Sequence, residues 1–293
     1  MTIETLFFDE KQRLRSGWRF AAFAAVFVVV TVLVLTPLTV IFTSAGGNPG
    51  TLTYLCIINS SILMSALVTG WLCGRFLEHL PLKALGASFS AGWLARFAFG
   101  VVVGAITLSI SVSISMLFSG TAFILNNMGW NAILQTFGIS LVVFAIAAAS
   151  EEAVCRGYPM QTFFHSDLRI FGIFFTAALF ASGHFQNDNF NAFAWFNTFL
   201  AGVWFGVAYW KTGDLWFPFG MHLAWNWMLG AFFGIEVSGL TDITPAPLLK
   251  EIDRGPAWLT GENYGIEAGI AATIAIVLST LVIFFWPAKR PRP

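Results

Sequence analysis

Eight stretches of this chain are apolar for long enough to reach across a lipid bilayer, and no other feature limits the available folds so strongly. A helix needs about 20 apolar residues to cover a hydrocarbon core of roughly 30 Å. The first run, 18–42, contains Pro37 near its far end. Seven more follow at about 51–74, 94–118, 132–155, 170–187, 191–210, 215–235 and 266–286. Backbone amides in hydrocarbon must be satisfied within the chain, so such runs fold as helices. The expected fold class is all-α, a polytopic transmembrane helical bundle of about eight spans. The first run is too long for a signal-peptide core and no small-residue cleavage site follows it closely, so it reads as a retained span.

Composition supports this and closes other routes. Of the 293 residues, 57% are hydrophobic and only 10% charged, whereas a soluble domain is nearer a quarter charged. A disordered chain is poor in aromatics; this one has 32 Phe and 12 Trp. The formal net charge is zero, which leaves no general electrostatic case for binding nucleic acid. Cys56, Cys73 and Cys155 lie inside apolar runs without metal spacing and read as packing residues.

Lysine and arginine orient the spans, because cytoplasmic loops hold most of them. An even number of spans puts both termini on one side. That side would hold Lys11, Arg13, Arg15 and Arg19, then Arg75, Lys83, Arg96, Arg156, Arg169 and Lys211, and finally Lys289, Arg290 and Arg292. The other side would hold Lys250 and Arg254, a split of 13 to 2. Both termini are therefore expected in the cytoplasm, in a multi-pass protein of a prokaryotic plasma membrane. The expected organisation is an interfacial arm (1–16), N-terminal spans (17–128), a core (129–235), an extracytoplasmic loop (236–265), and a last span with its basic tail (266–293). Pro245, Pro247 and Pro256 make 236–265 an ordered loop or short lid rather than a long helix.

Charged groups at membrane depth are expensive and usually functional. The costliest cluster is Ser150-Glu151-Glu152-Ala153-Val154-Cys155-Arg156. Glu152 and Arg156 are one helical turn apart and can pair, while Glu151 points about 100° away. Two further polar positions interrupt later runs: His184, a turn after Phe180, and His222, a turn before Asn226. Taken singly, each has an ordinary structural reading as an ion pair, a packed histidine or an interhelical hydrogen bond. Together they are harder to dismiss. Spans four and five form a hairpin turning near Ser166–Asp167, and Glu151 and His184 lie about 15 and 17 residues from that turn. At 1.5 Å per residue both are roughly 22–26 Å from it, provided the helix runs on through 158–164.

These residues carry a resemblance. Glu-Glu-x-x-x-Arg at 151–156, Phe-x-x-x-His at 180–184 and His-x-x-x-Asn at 222–226, in that order, resemble the CPBP (Abi) family of intramembrane CAAX proteases and bacteriocin-processing or self-immunity proteins. The glycine-spaced flank Gly202, Gly206, Gly213, Gly220 and the Gly157 after the arginine are similar to the family pattern, over about 130–230. The resemblance implies an intramembrane endopeptidase acting on a membrane-associated or CAAX-like peptide. It implies that Glu151 activates water, that Glu152 and Arg156 form the accompanying pair, and that His184 holds the water. His222 and Asn226 would then serve the developing oxyanion. The family is often described as metalloproteases, which makes Glu151, His184 and His222 candidate ligands to zinc; a metal-free, glutamate-dependent route is equally compatible. Two rivals from other classes are a non-catalytic membrane scaffold or immunity protein and an ion-coupled transporter.

Overall fold

The computed structural model describes residues 3–10, 12–240 and 242–287. Lys11, Lys289, Arg290 and Arg292, which entered the charge count above, lie outside the described residues. The chain divides into two compact units, residues 1–91 with 146–176, and 92–145 with 177–293.

The first unit opens with α1 (Ile3–Phe7), whose chain folds back on the next helix. The Trp18 indole donates to Leu6 O at 3.1 Å, and Asp9 pairs with Arg13 at 2.9 Å. Then come α2 (Ser16–Ser44) and α3 (Leu52–Leu77). Thr51 caps α3 by accepting the Tyr54 N–H, which satisfies one of the donors a helix start leaves open. The unit also takes in the end of α5 (Trp130–Arg156), all of α6 (Tyr158–Phe164), and most of α7 (Arg169–Ser182). Phe23, Cys73, Leu85 and Tyr158 form its buried cluster. A second knot is polar. Arg19, 2% exposed, pairs with Glu78 and donates to Ser166 Oγ at 2.7 Å. His165 Nδ1 approaches the same Glu78 oxygen at 3.3 Å. Burial alone would push the Glu78 carboxyl up, but the His165 hydrogen bond and the Arg19 charge outweigh it and hold the group below its usual range.

In the second unit α4 (Trp93–Ser119), α8 (Ala192–Thr212), α9 (Trp216–Trp227) and α11 (Ile270–Phe285) form the helical body. Helices α4 and α9 meet backbone to backbone. A Cβ on Gly100 would lie 2.2 Å from Phe217 O, on Gly104 2.3 Å from Met221 O, and on Gly220 2.3 Å from Phe97 O. Small residues spaced four apart permit such an approach, and in lipid it is a principal source of helix association. Ser279 of α11 takes the Trp204 indole and the Thr107 hydroxyl, each at 2.9 Å.

All eight apolar runs carry helix, and the chain is all-α as expected. Among the described residues, five helical segments are long and apolar enough to cross a membrane: 16–44, 52–77, 93–119, 130–164 and 192–212. The other three are shorter. Helix α7 has 14 residues and stops before Gly183, α11 has 16, and α9 has 12 before the backbone loosens into a π-helical stretch, Met228–Phe233. The segment 236–265 contains a strand. Leu249–Ile252 (β2) pairs antiparallel with Ala122–Leu125 (β1), in the register Ala122↔Ile252 to Leu125↔Leu249. A short helix, α10 (Ala257–Thr260), follows.

Candidate active site

The end of α5 holds the acidic motif. Ser150 is fully buried and donates to Asn59 Oδ1 at 3.1 Å. Glu152 and Arg156 pair at 3.2 Å, with exposures of 1% and 0%. Two charges are tolerated so deep only because each offsets the other. Glu151, one residue earlier, is half-buried and so keeps access that Glu152 lacks. The helix then breaks at Gly157, where a Cβ would lie 2.2 Å from Ala153 O. It resumes as α6 over the residues 158–164 that the depth argument required, and the chain turns back at 165–168.

The histidines lie in the other unit. His184 sits in the turn just past α7 rather than on a helix, with its Nδ1 2.9 Å from Phe180 O. His222 is on α9 and only 4% exposed. Phe180 joins the two. Its ring meets His184 edge-on at 5.0 Å and His222 edge-on at 5.8 Å. The His222 ring also stacks on Phe205 of α8, at 4.7 Å and 19°. Asn226, one turn further along α9, is half-buried. The α4 contacts use Phe217, Gly220 and Met221. His222 and Asn226 therefore lie on a different face, about 100° and about 140° around the helix from Met221.

The arrangement thus brings together Glu152 with Arg156, and His184 with His222 around Phe180. Two contributors escaped the sequence reading. Phe205 lies in the glycine-spaced flank, where one aromatic among many carries no distinguishing signal. Glu267 is different: a carboxylate at the start of an apolar run breaks the same rule that singled out Glu151. It accepts the Trp225 indole N–H at 2.8 Å.

A zinc ion needs three or four ligands converging at about 2 Å. Among the described residues no three His, Cys, Asp or Glu side chains are grouped in that way. His184 has its Nδ1 against a backbone carbonyl, the usual setting of an imidazole whose Nε2 is the ligating nitrogen. No step below is routed through a metal.

The long apolar helices suggest an integral membrane protein. Residues 133–228 match the family model described as type II CAAX prenyl endopeptidase Rce1-like. The match encloses Glu151, Glu152, Arg156, His184, His222 and Asn226, and it supports assignment to the CPBP, or CAAX protease, family. At the level of that family the match supports a CAAX-type intramembrane protease, a hydrolase whose substrates are peptides or prenylated proteins in a membrane. Comparison with curated proteins found no match.

Proposed function

We propose that this protein is an intramembrane endopeptidase that hydrolyses a peptide bond of a membrane-associated, CAAX-like substrate by glutamate-activated water. Glu151 takes a proton from the water as it attacks the scissile carbonyl and later returns it to the leaving amine. His184 holds that water. His222 and Asn226 donate to the oxyanion as it develops, where a water-poor site makes each donor worth most. Glu152 and Arg156 act on each other, and their pair fixes the end of α5. The termini, with the basic loops, face the cytoplasm.

The observation that carries this reading is the contrast between the two glutamates. Glu152 is committed to Arg156 and sealed from solvent, whereas its neighbour Glu151 is only half-buried. A general base has to reach a water and a substrate, and only one of the two is able to.

Purified protein with a quenched membrane-peptide reporter tests it. Glu151→Gln is expected to abolish turnover while the protein stays folded, and chelators are expected to leave the wild type active. Equal activity in Glu151→Gln and the wild type overturns the assignment of the base. One tightly held zinc per chain, lost in His222→Ala, overturns the metal-free mechanism. A folded wild type that cleaves no reporter favours a scaffold.

A further inference from the structure

One carboxylate in the second unit is more thoroughly engaged than any role above requires. Glu267 sits in the single 3-10 turn Ile266–Ala268 that leads into α11. Its Oε1 accepts the Trp225 indole N–H at 2.8 Å, and its Oε2 accepts the backbone N–H and the hydroxyl of Ser238 at 2.6 and 3.1 Å. Its carbonyl oxygen accepts Asn197 Nδ2 of α8 at 2.8 Å. The same buried amide also donates to Gly269 O at 2.8 Å, and its oxygen accepts the Thr273 hydroxyl at 2.6 Å. One residue therefore grips α9 by its side chain and α8 by its backbone.

Those are the two helices that share the surroundings of His222. The imidazole lies flat on Phe205 of α8, and three residues later Trp225 meets Trp204 of α8 edge-on at 5.9 Å and 70°. Aromatic faces attract over a broad range of offsets, so they hold α9 against α8 without fixing its rotation or slide. A charge-assisted hydrogen bond is directional and supplies the missing constraint.

We propose that Glu267 is a positioning residue of the candidate active site, fixing α9 on α8 through Trp225 so that His222 and Asn226 stay aimed at the reacting carbonyl. This rests on the roles given to His222 and Asn226 above. A misplacement of about 1 Å can lower turnover roughly 10²-fold, so the effect belongs in kcat and not in substrate binding.

The test uses the full chain and the same reporter. Trp225→Phe keeps an aromatic ring and deletes the donor. It is expected to lower kcat roughly 10- to 100-fold, with KM changed by no more than about two-fold. Glu267→Gln should act in the same direction, and the double variant should be no worse than the poorer single one, because both remove one shared interaction. Ser238→Ala is the comparator: it removes another bond to the same carboxylate but spares Trp225, and it should keep wild-type kcat. Melting temperatures are measured throughout. Wild-type kcat in Trp225→Phe, or an equal loss in Ser238→Ala, overturns the proposal, since the carboxylate then only ties down its own segment. If Trp225→Phe fails to fold, Glu267→Gln against Ser238→Ala decides the matter in the same way. A wild type that cleaves nothing, or a Glu151→Gln protein that still cleaves, overturns the parent reading and this one with it. An active wild type whose Trp225→Phe variant is unimpaired overturns this one alone.

Discussion

The two units bury polar groups by opposite means. In the first, charges face charges: Glu152 with Arg156, and Arg19 with Glu78. In the second, the hydrogen-bonding groups described above are amides, hydroxyls, indoles and the Glu267 carboxylate, with an imidazole beside phenyl rings, and α4 meets α9 through glycine. Its ion pair, Arg96 with Asp214, leaves the arginine 29% exposed at a helix end. The difference teaches where each unit is fragile. Removing one partner strands a buried charge in the first unit, whereas the second is vulnerable to added volume.

The largest expected effect therefore lies in the first unit. Arg156→Met takes the guanidinium from Glu152, and breaking a buried pair in this way costs about 3–5 kcal/mol. Pairing it with Glu152→Leu should recover much of the loss, because apolar replacement of both partners is often neutral. Denaturant melts in micelles measure both. A mild single variant would break the comparison.

Next is overpacking in the second unit. Gly100→Ala drives a methyl onto Phe217 O, and neither backbone can yield without shifting α9. A loss of about 1–3 kcal/mol is expected, as for other overpacked sites. Gly138→Ala, where no atom lies within 4 Å of the new methyl, should be neutral or slightly stabilising by comparison. Equal melting of the two variants would show that the α4–α9 contact has slack.

The smallest effect sharpens the contrast, because carboxylates also gather in the second unit. Glu236, Glu251, Asp253 and Glu262, with Gly234 and Asn263, line a cavity of about 500 Å3. Burial first, then the charges of Asp253 and Glu236, push the Glu251 carboxyl up to about 8. Between its ordinary value near 4.5 and about 8 the folded protein binds more protons than the unfolded chain. Stability must then fall as pH rises through that window, and level off above it. A drop of roughly 2–4 °C in melting midpoint from pH 5 to 9 is expected, and Glu251→Gln should flatten it. A wild-type midpoint that climbs over this range would contradict the assignment.

How much of this was legible in the sequence depends on the range of the interaction. The apolar runs mark helices because hydrocarbon leaves the backbone no alternative, and the Glu152–Arg156 pair follows from spacing along one helix. The sheet was not legible. Ala122–Leu125 and Leu249–Ile252 are four residues each and far apart in the chain, and neither has a run of alternation long enough to announce a strand. His184 was read as part of an apolar run, but Gly183 lies between it and the last helical residue, Ser182. Glu267 was passed over because the residues after it are so apolar that the run absorbed it. The π-helical stretch after Trp227 has no sequence mark, since it arises where Ala231 O accepts the distant Leu248 N–H at 2.8 Å.

The backbone contact between α4 and α9 also bears on what a minimal fragment of this protein would be. The family match begins at residue 133 and α4 ends at Ser119, so the helix carrying His222 has its closest neighbour outside the recognisable region. A fragment trimmed to 129–235 would keep every motif. It would also leave Phe217, Gly220 and Met221 facing lipid, with nothing to hold the helix at that depth. Grafting this core into another host, or tracing its descent by swapping segments between relatives, would thus have to carry residues 93–119 along as an inseparable companion.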